Sequence, residues 1–237
     1  MLNLGWVYVL LSVETAPAFQ PYSVSNYGRL PVTTKLAATT EDPNLSARQT
    51  PLKQIVRKQT ADGSWGQPLD ERVPLGGPVE DIAILSRLAL LQSGDSSSGV
   101  RDCINKAAGW LDGHRDKTSL QGRNLRLLMN SYERRPAVEL KPVIASILAE
   151  QHPDGGWSQT TDMASDAYAT GQALYVLARA GVKKRAPEMK RGVEFLLQTQ
   201  REEGSWPMTS RANAKNLSPI TGAGTAWAVL GLIRASP

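Results

Sequence analysis

QHPDGGW, residues 151–157, joins two stretches of helical periodicity and puts a tryptophan where a connection needs only polar residues. The pattern recurs. QTADGSW fills residues 59–65 and QREEGSW residues 200–206, so all three fit Gln-x-x-acidic-Gly-small-Trp. Each residue type has a physical use in such a turn. The Gln amide can satisfy backbone groups left without partners at helix ends. The glycine permits the backbone geometry of a tight turn. The indole can stack on the amide and cover apolar surface. Gln59/Trp65, Gln151/Trp157 and Gln200/Trp206 are therefore expected to be structural braces between helices. Sugar binding on exposed Trp faces is the alternative.

The copies also set a period. From Gln59 to Gln151 is 92 positions, twice 46, and from Gln151 to Gln200 is 49. That is the length of a two-helix repeat, and such repeats stack to share a core. A degenerate copy is expected between the first two. WLDGHRDKTSL, residues 110–120, stands about there but lacks the Gln and Trp of the turn.

After residue 45 strand signals are nearly absent and apolar residues recur at helical spacing. The periodicity predicts helices over 46–59, 78–93, 99–113, 119–132, 136–151, 162–180, 187–200 and 220–235. The helices after the turns resemble one another. DIAILSRLALL from Asp81 and DAYATGQALYVL from Asp166 align with the Asp in register, and GTAWAVLGL from Gly224 resembles ATGQALYVL from Ala169. Their Ala, Gly and Thr content lets neighbouring helices approach closely. An Asp in the first turn suits the positive end of a helix dipole.

Residues 1–45 form a separate segment: an apolar helix or weak signal-like run over 4–13, then an irregular Pro/Ser/Thr-rich linker. Ala16, Pro17 and Ala18 could pass for a cleavage site, but no Lys or Arg precedes the apolar run. The run is too short to span a bilayer. Both a cytoplasmic and an exported protein stay open. Residues 46–237 carry the repeats.

Bulk composition narrows the chemistry. The chain has 237 residues and a hydrophobic content of 41%, enough for a sizeable core. A net charge of +5 reads as a solvated surface, with no nucleic-acid partner expected and membrane-surface association left open. One cysteine, Cys103, excludes an intrachain disulfide. His114 and His152 lie beside no ligand cluster, so no metal and no cofactor are expected. Oligomeric state is not legible.

RGVEFLLQTQREEGSW, residues 191–206, resembles the QW repeat of the prenyltransferase and squalene-oxidase superfamily, which includes squalene–hopene cyclases. The phrase SDAYATGQALY, residues 165–175, is similar to that of a group of bacterial members. The resemblance implies an all-α fold: a partial α/α toroid of stacked helical hairpins with inner and outer helices. It also implies an isoprenoid or other apolar small molecule as ligand.

Class II cyclases of this superfamily protonate an alkene with an Asp in a DxDDTA motif. The chemistry needs a carboxylic acid kept protonated in an apolar cavity. PVEDIA, residues 78–83, begins thirteen residues after Trp65, about where that motif falls. Glu80 takes the acid's place and Asp81 that of the next Asp, while Pro78 and Ile82 replace the first Asp and the Thr. Glu is intrinsically the weaker acid. Glu80 and Asp81 are thus either a catalytic pair or an ordinary acidic helix start. With two Phe, six Tyr and six Trp, three of them in the turns, few aromatic faces remain to steady a carbocation. The sequence therefore points to a cyclase-like, apolar-ligand-binding protein with weak or lost chemistry. An active cyclase and a peptide-binding scaffold are the alternatives. Asp162, Asp166, Tyr168 and Gln172 form a second polar group at the start of an inner helix, read as caps and inter-helix bonds or as ligand contacts.

Overall fold

The computed structural model describes residues 45–65, 79–114, 119–206 and 221–236. The apolar opening run, the linker up to residue 44 and Pro78 lie outside the described residues. Among the described residues there are eight helices and no strand: α1 (Leu45–Lys58), α2 (Val79–Gln92), α3 (Ser98–Gly113), α4 (Leu120–Tyr132), α5 (Ala137–Leu148), α6 (Ala167–Arg179), α7 (Pro187–Thr199) and α8 (Thr221–Ala235). The fold is all-α, as the periodicity predicts. The chain divides between Arg115 and Asp116 into two compact units.

The largest departure from the predicted boundaries is at α6, which starts at Ala167 rather than 162. Asp166 is extended (φ −138°, ψ 165°), and its carboxylate accepts from the backbone N–H of Ala169 at 2.8 Å. That is an N-cap, and it fixes the helix start. Upstream, the Met163 N–H bonds the Thr160 carbonyl at 3.1 Å in a separate turn. At the other end of α6, Gly181 (φ +88°) allows the Val182 N–H to reach back to the Leu177 carbonyl at 3.0 Å, a Schellman-type stop.

Burial sorts the helices into two kinds. In the first unit α2 is buried at every position over residues 81–90. Its neighbour α3 buries only Val100, Cys103, Ala107 and Leu111, a single stripe. In the second unit α6 is buried over residues 167–177, while α7 buries Met189, Gly192, Phe195 and Leu196. Helices enclosed on all sides alternating with helices buried along one stripe is what inner and outer members of helical-hairpin repeats require.

Within the second unit, α6 is packed by α4, α7 and α8. It meets α8 backbone to backbone. A Cβ built on Gly171 would stand 2.2 Å from the Trp227 carbonyl oxygen, and one on Gly231 2.6 Å from the Gly171 carbonyl oxygen. No side chain larger than hydrogen fits between those helices at that crossing. Trp227 then packs edge-on against Tyr168 and Tyr175, with ring centroids 6.4 and 5.8 Å away.

Candidate functional site

The three Gln–Trp turns share one construction. In each, the Gln side chain donates from Nε2 to the carbonyl of the turn's glycine: Gln59 to Gly63 at 3.1 Å, Gln151 to Gly155 at 2.8 Å and Gln200 to Gly204 at 3.1 Å. Each glycine has a positive φ, +96°, +87° and +84° in turn. Each indole donates from Nε1 to a carbonyl ten residues earlier in the preceding helix: Trp65 to Ile55, Trp157 to Ile147 and Trp206 to Leu196, at 2.7–2.8 Å. The rings are 5%, 0% and 2% exposed, so they offer no face to a sugar. Burying an indole removes roughly 200 Å² from water, an upper bound of about 5 kcal/mol at 25 cal/mol/Å². Its single hydrogen bond adds about 1 kcal/mol. The Trp is therefore an apolar anchor that also satisfies a carbonyl.

Two of the turns also grip a helix further along the chain in the same unit. Gln59 Nε2 donates to the Cys103 carbonyl in α3, and Gln151 Nε2 to the Glu188 carbonyl in α7, both at 2.8 Å. The glycines seat against the same helices. A Cβ at Gly63 would stand 2.4 Å from the Lys106 carbonyl oxygen, and one at Gly155 2.7 Å from that of Arg191. Among the described residues Gly204 meets nothing closer than the Gln200 amide at 3.8 Å. Each turn thus ties its Gln and Trp to its own glycine and to the helix before it, and the first two turns are tied to a later helix as well.

Glu80 and Asp81 occupy the first turn of α2. Asp81 is 3% exposed and Glu80 is half-buried. The residues that follow, Ile82, Ala83, Ile84 and Leu85, are buried. A carboxyl group at the mouth of such a helix has an apolar surround on one side and the helix N-terminus on the other.

The second polar group separates in the structure. Asp162 is exposed in the turn before α6. Asp166 is the α6 cap and also takes a hydrogen bond from Gln159 Nε2. Its backbone N–H bonds the Trp157 carbonyl at 3.0 Å, while the Trp157 N–H donates to Thr170 Oγ1 at 2.9 Å. The second Gln–Trp turn is thereby stitched to the start of α6. Tyr168 and Gln172 point elsewhere, toward α4. The Tyr168 hydroxyl donates to Gln121 Oε1 at 3.1 Å, and Asn124 Nδ2 donates to Gln172 Oε1 at 3.2 Å. All four side chains are buried. Gln121 and Asn124 escape a reading of the sequence. Their one signal is a pair of amides three residues apart on a helix that also buries Leu125, Leu127 and Leu128.

A further cluster closes the loop between the second turn and α6. His152 lies between two serines, with Nε2 3.3 Å from Ser158 Oγ and Nδ1 3.1 Å from Ser165 Oγ. It is not a nucleophile–base pair. Ser158 gives its proton to the Thr160 carbonyl at 2.6 Å and Ser165 gives its own to Asp154 Oδ1 at 2.8 Å, so neither hydroxyl has a proton for the imidazole to take. Cys103 is also unsuited to nucleophilic chemistry, because burial pushes its thiol up to about 11. Among the described residues no three His, Cys, Asp or Glu side chains gather as metal ligands, and no helix is long and apolar enough to cross a membrane.

The sequence model of the squalene-hopene cyclase C-terminal domain matches residues 111–237. Squalene–hopene cyclase of Bradyrhizobium diazoefficiens is 31% identical over 97 residues, covering 39% of this chain and 14% of that protein. A probable squalene–hopene cyclase of Sinorhizobium fredii is 31% identical over 97 residues, covering 39% of this chain and 15% of its own length. The chain thus spans about one-seventh of the curated relatives it matches. On the match over residues 111–237, the chain belongs to the squalene-hopene cyclase C-terminal domain family.

Proposed function

We propose that the protein binds an isoprenoid or another apolar small molecule among its inner helices, with cyclase chemistry weak or lost. The observation that supports this most is the partial acid site: α2 opens with Glu80 and a buried Asp81 on an apolar helix that is buried over residues 81–90. The setting suits a carboxyl group beside a hydrocarbon. The neighbours a class II motif would supply are replaced by Pro78 and Ile82. Aromatic supply supports the weak-chemistry reading. Three of the six Trp are committed to turns, and Tyr168, Tyr175 and Trp227 are packed together between α6 and α8. Active catalysis by Glu80 and Asp81 is the second reading, favoured by the burial of Asp81.

Incubation with squalene and with polyprenyl diphosphates, followed by product analysis and native mass spectrometry, tests both readings. Bound lipid without turnover is the expected result. Cyclic product that disappears in Glu80→Gln and Asp81→Asn would establish the second reading. Neither lipid nor product would leave a scaffold for protein or peptide.

A further inference from the structure

The contact between α4 and α6 carries two polar pairs one helical turn apart, and hydrogen-bond accounting separates them. Tyr168 and Gln121 are joined directly. Asn124 and Gln172 are 0% and 1% exposed and share one bond, from Asn124 Nδ2 to Gln172 Oε1. A primary amide has two N–H donors and an acceptor oxygen. In this pair Asn124 Oδ1 and Gln172 Nε2 have no hydrogen-bond partner among the described residues. Turning both amides over does not remove the imbalance. Gln172 would then donate to Asn124, leaving the Asn124 nitrogen and the Gln172 oxygen. Turning one over sets like atoms against each other. In each workable arrangement, one amide nitrogen and one amide oxygen are left without a partner among the described residues, and Leu125, Leu128, Ala173 and Leu174 on the same two helices are buried as well.

A group that answers both is an O–H, which donates to the amide oxygen and accepts from the amide N–H. Buried polar atoms in native proteins nearly always have a hydrogen-bond partner. A carbonyl or a diphosphate has acceptors only, and a hydrocarbon has neither. We propose that Asn124 and Gln172 form a seat for a single O–H group: the hydroxyl of an isoprenoid alcohol, or an ordered water. The ligand arm rests on the isoprenoid-binding reading above and deepens it, since it selects alcohols over hydrocarbons. The water arm stands without it.

The test compares binding of geranylgeraniol with that of the same chain bearing hydrogen in place of the hydroxyl. It uses the full-length protein and the Asn124→Leu/Gln172→Leu double variant, with folding checked by circular dichroism. If the ligand supplies the O–H, the wild type binds the alcohol about tenfold or more tightly than the hydrocarbon, and the double variant loses that preference. If water supplies it, lipid binding shows no preference, and a high-resolution crystal structure places a water within hydrogen-bond reach of both amides. No preference and no water overturns the proposal, as would a direct second bond between the two amides. The wild-type comparison and the crystal structure stand even if the double variant does not fold. Failure of both lipids to bind overturns the isoprenoid reading alone and leaves the seat to be judged on the water.

Discussion

Gly155 and Gly204 occupy the same place in two copies of one turn, yet they are not under the same constraint. Both have a positive φ, where an alanine costs about 1–2 kcal/mol. Gly155 also lies against the α7 backbone, where its missing Cβ would meet the Arg191 carbonyl oxygen at 2.7 Å. Gly204 has no such neighbour among the described residues. Gly155→Ala should therefore destabilise the protein by clearly more than Gly204→Ala in urea unfolding. Equal losses would show that the turn's geometry matters and its seat on α7 does not. Asp62 gives a second test at this scale. The Thr60 hydroxyl, then the Ser64 N–H and hydroxyl, hold its carboxyl down at about 2. A depressed folded-state value means that the group supports the first turn above its ordinary 3.8, and that the support is lost as pH falls from 3.8 toward 2. An NMR titration of the Asp62 carboxyl carbon should have its midpoint in that acid range. A midpoint near 3.8 would mean that the hydroxyl cradle does not form.

Between elements, the α6–α8 crossing is the tightest contact, and Gly171 is where it can be broken. An alanine there would have its methyl 2.2 Å from a backbone oxygen, which cannot yield without moving α8. Gly171→Ala should cost about 1–3 kcal/mol or more and disturb the Tyr168–Trp227–Tyr175 cluster, visible as a change in near-ultraviolet circular dichroism. An unchanged near-ultraviolet spectrum and melting temperature would refute the tight crossing. Elements were the most legible level in the sequence. Seven of the eight helices match the periodicity closely, because an apolar stripe or a wholly apolar run marks them locally. The periodicity places the start of α6 too early because residues 162–166 continue a tolerable helical pattern. What stops it is Asp166 acting as a cap, a three-dimensional event. The Gln–Trp turns were legible for the opposite reason: most of their bonds lie within ten residues. The Asn124–Gln172 and Gln121–Tyr168 pairs span 48 and 47 residues, and no local pattern announces a partner at that range.

For the molecule as a whole, the proposed ligand should act as a stabiliser, since it binds the folded chain only. An isoprenoid held at one hundred times its Kd should add about 2.7 kcal/mol to the unfolding free energy. A dose-dependent rise in melting temperature would register it, and a flat response at saturating lipid would count against binding among the inner helices. The reach of the turns has another consequence, which concerns time. Gln59 completes its bonding only when Cys103 exists, 44 residues later, and Gln151 only when Glu188 does, 37 residues later. At about 5–20 residues per second of synthesis, each waits roughly 2–9 seconds. Helices themselves form in about a microsecond or less. On the ribosome, then, each of these two turns is held half-bonded for at least a few million helix-forming times, its amide committed to its own glycine and open to a helix made later. The first two turns are latched by helices that follow them, and their closure is paced by translation.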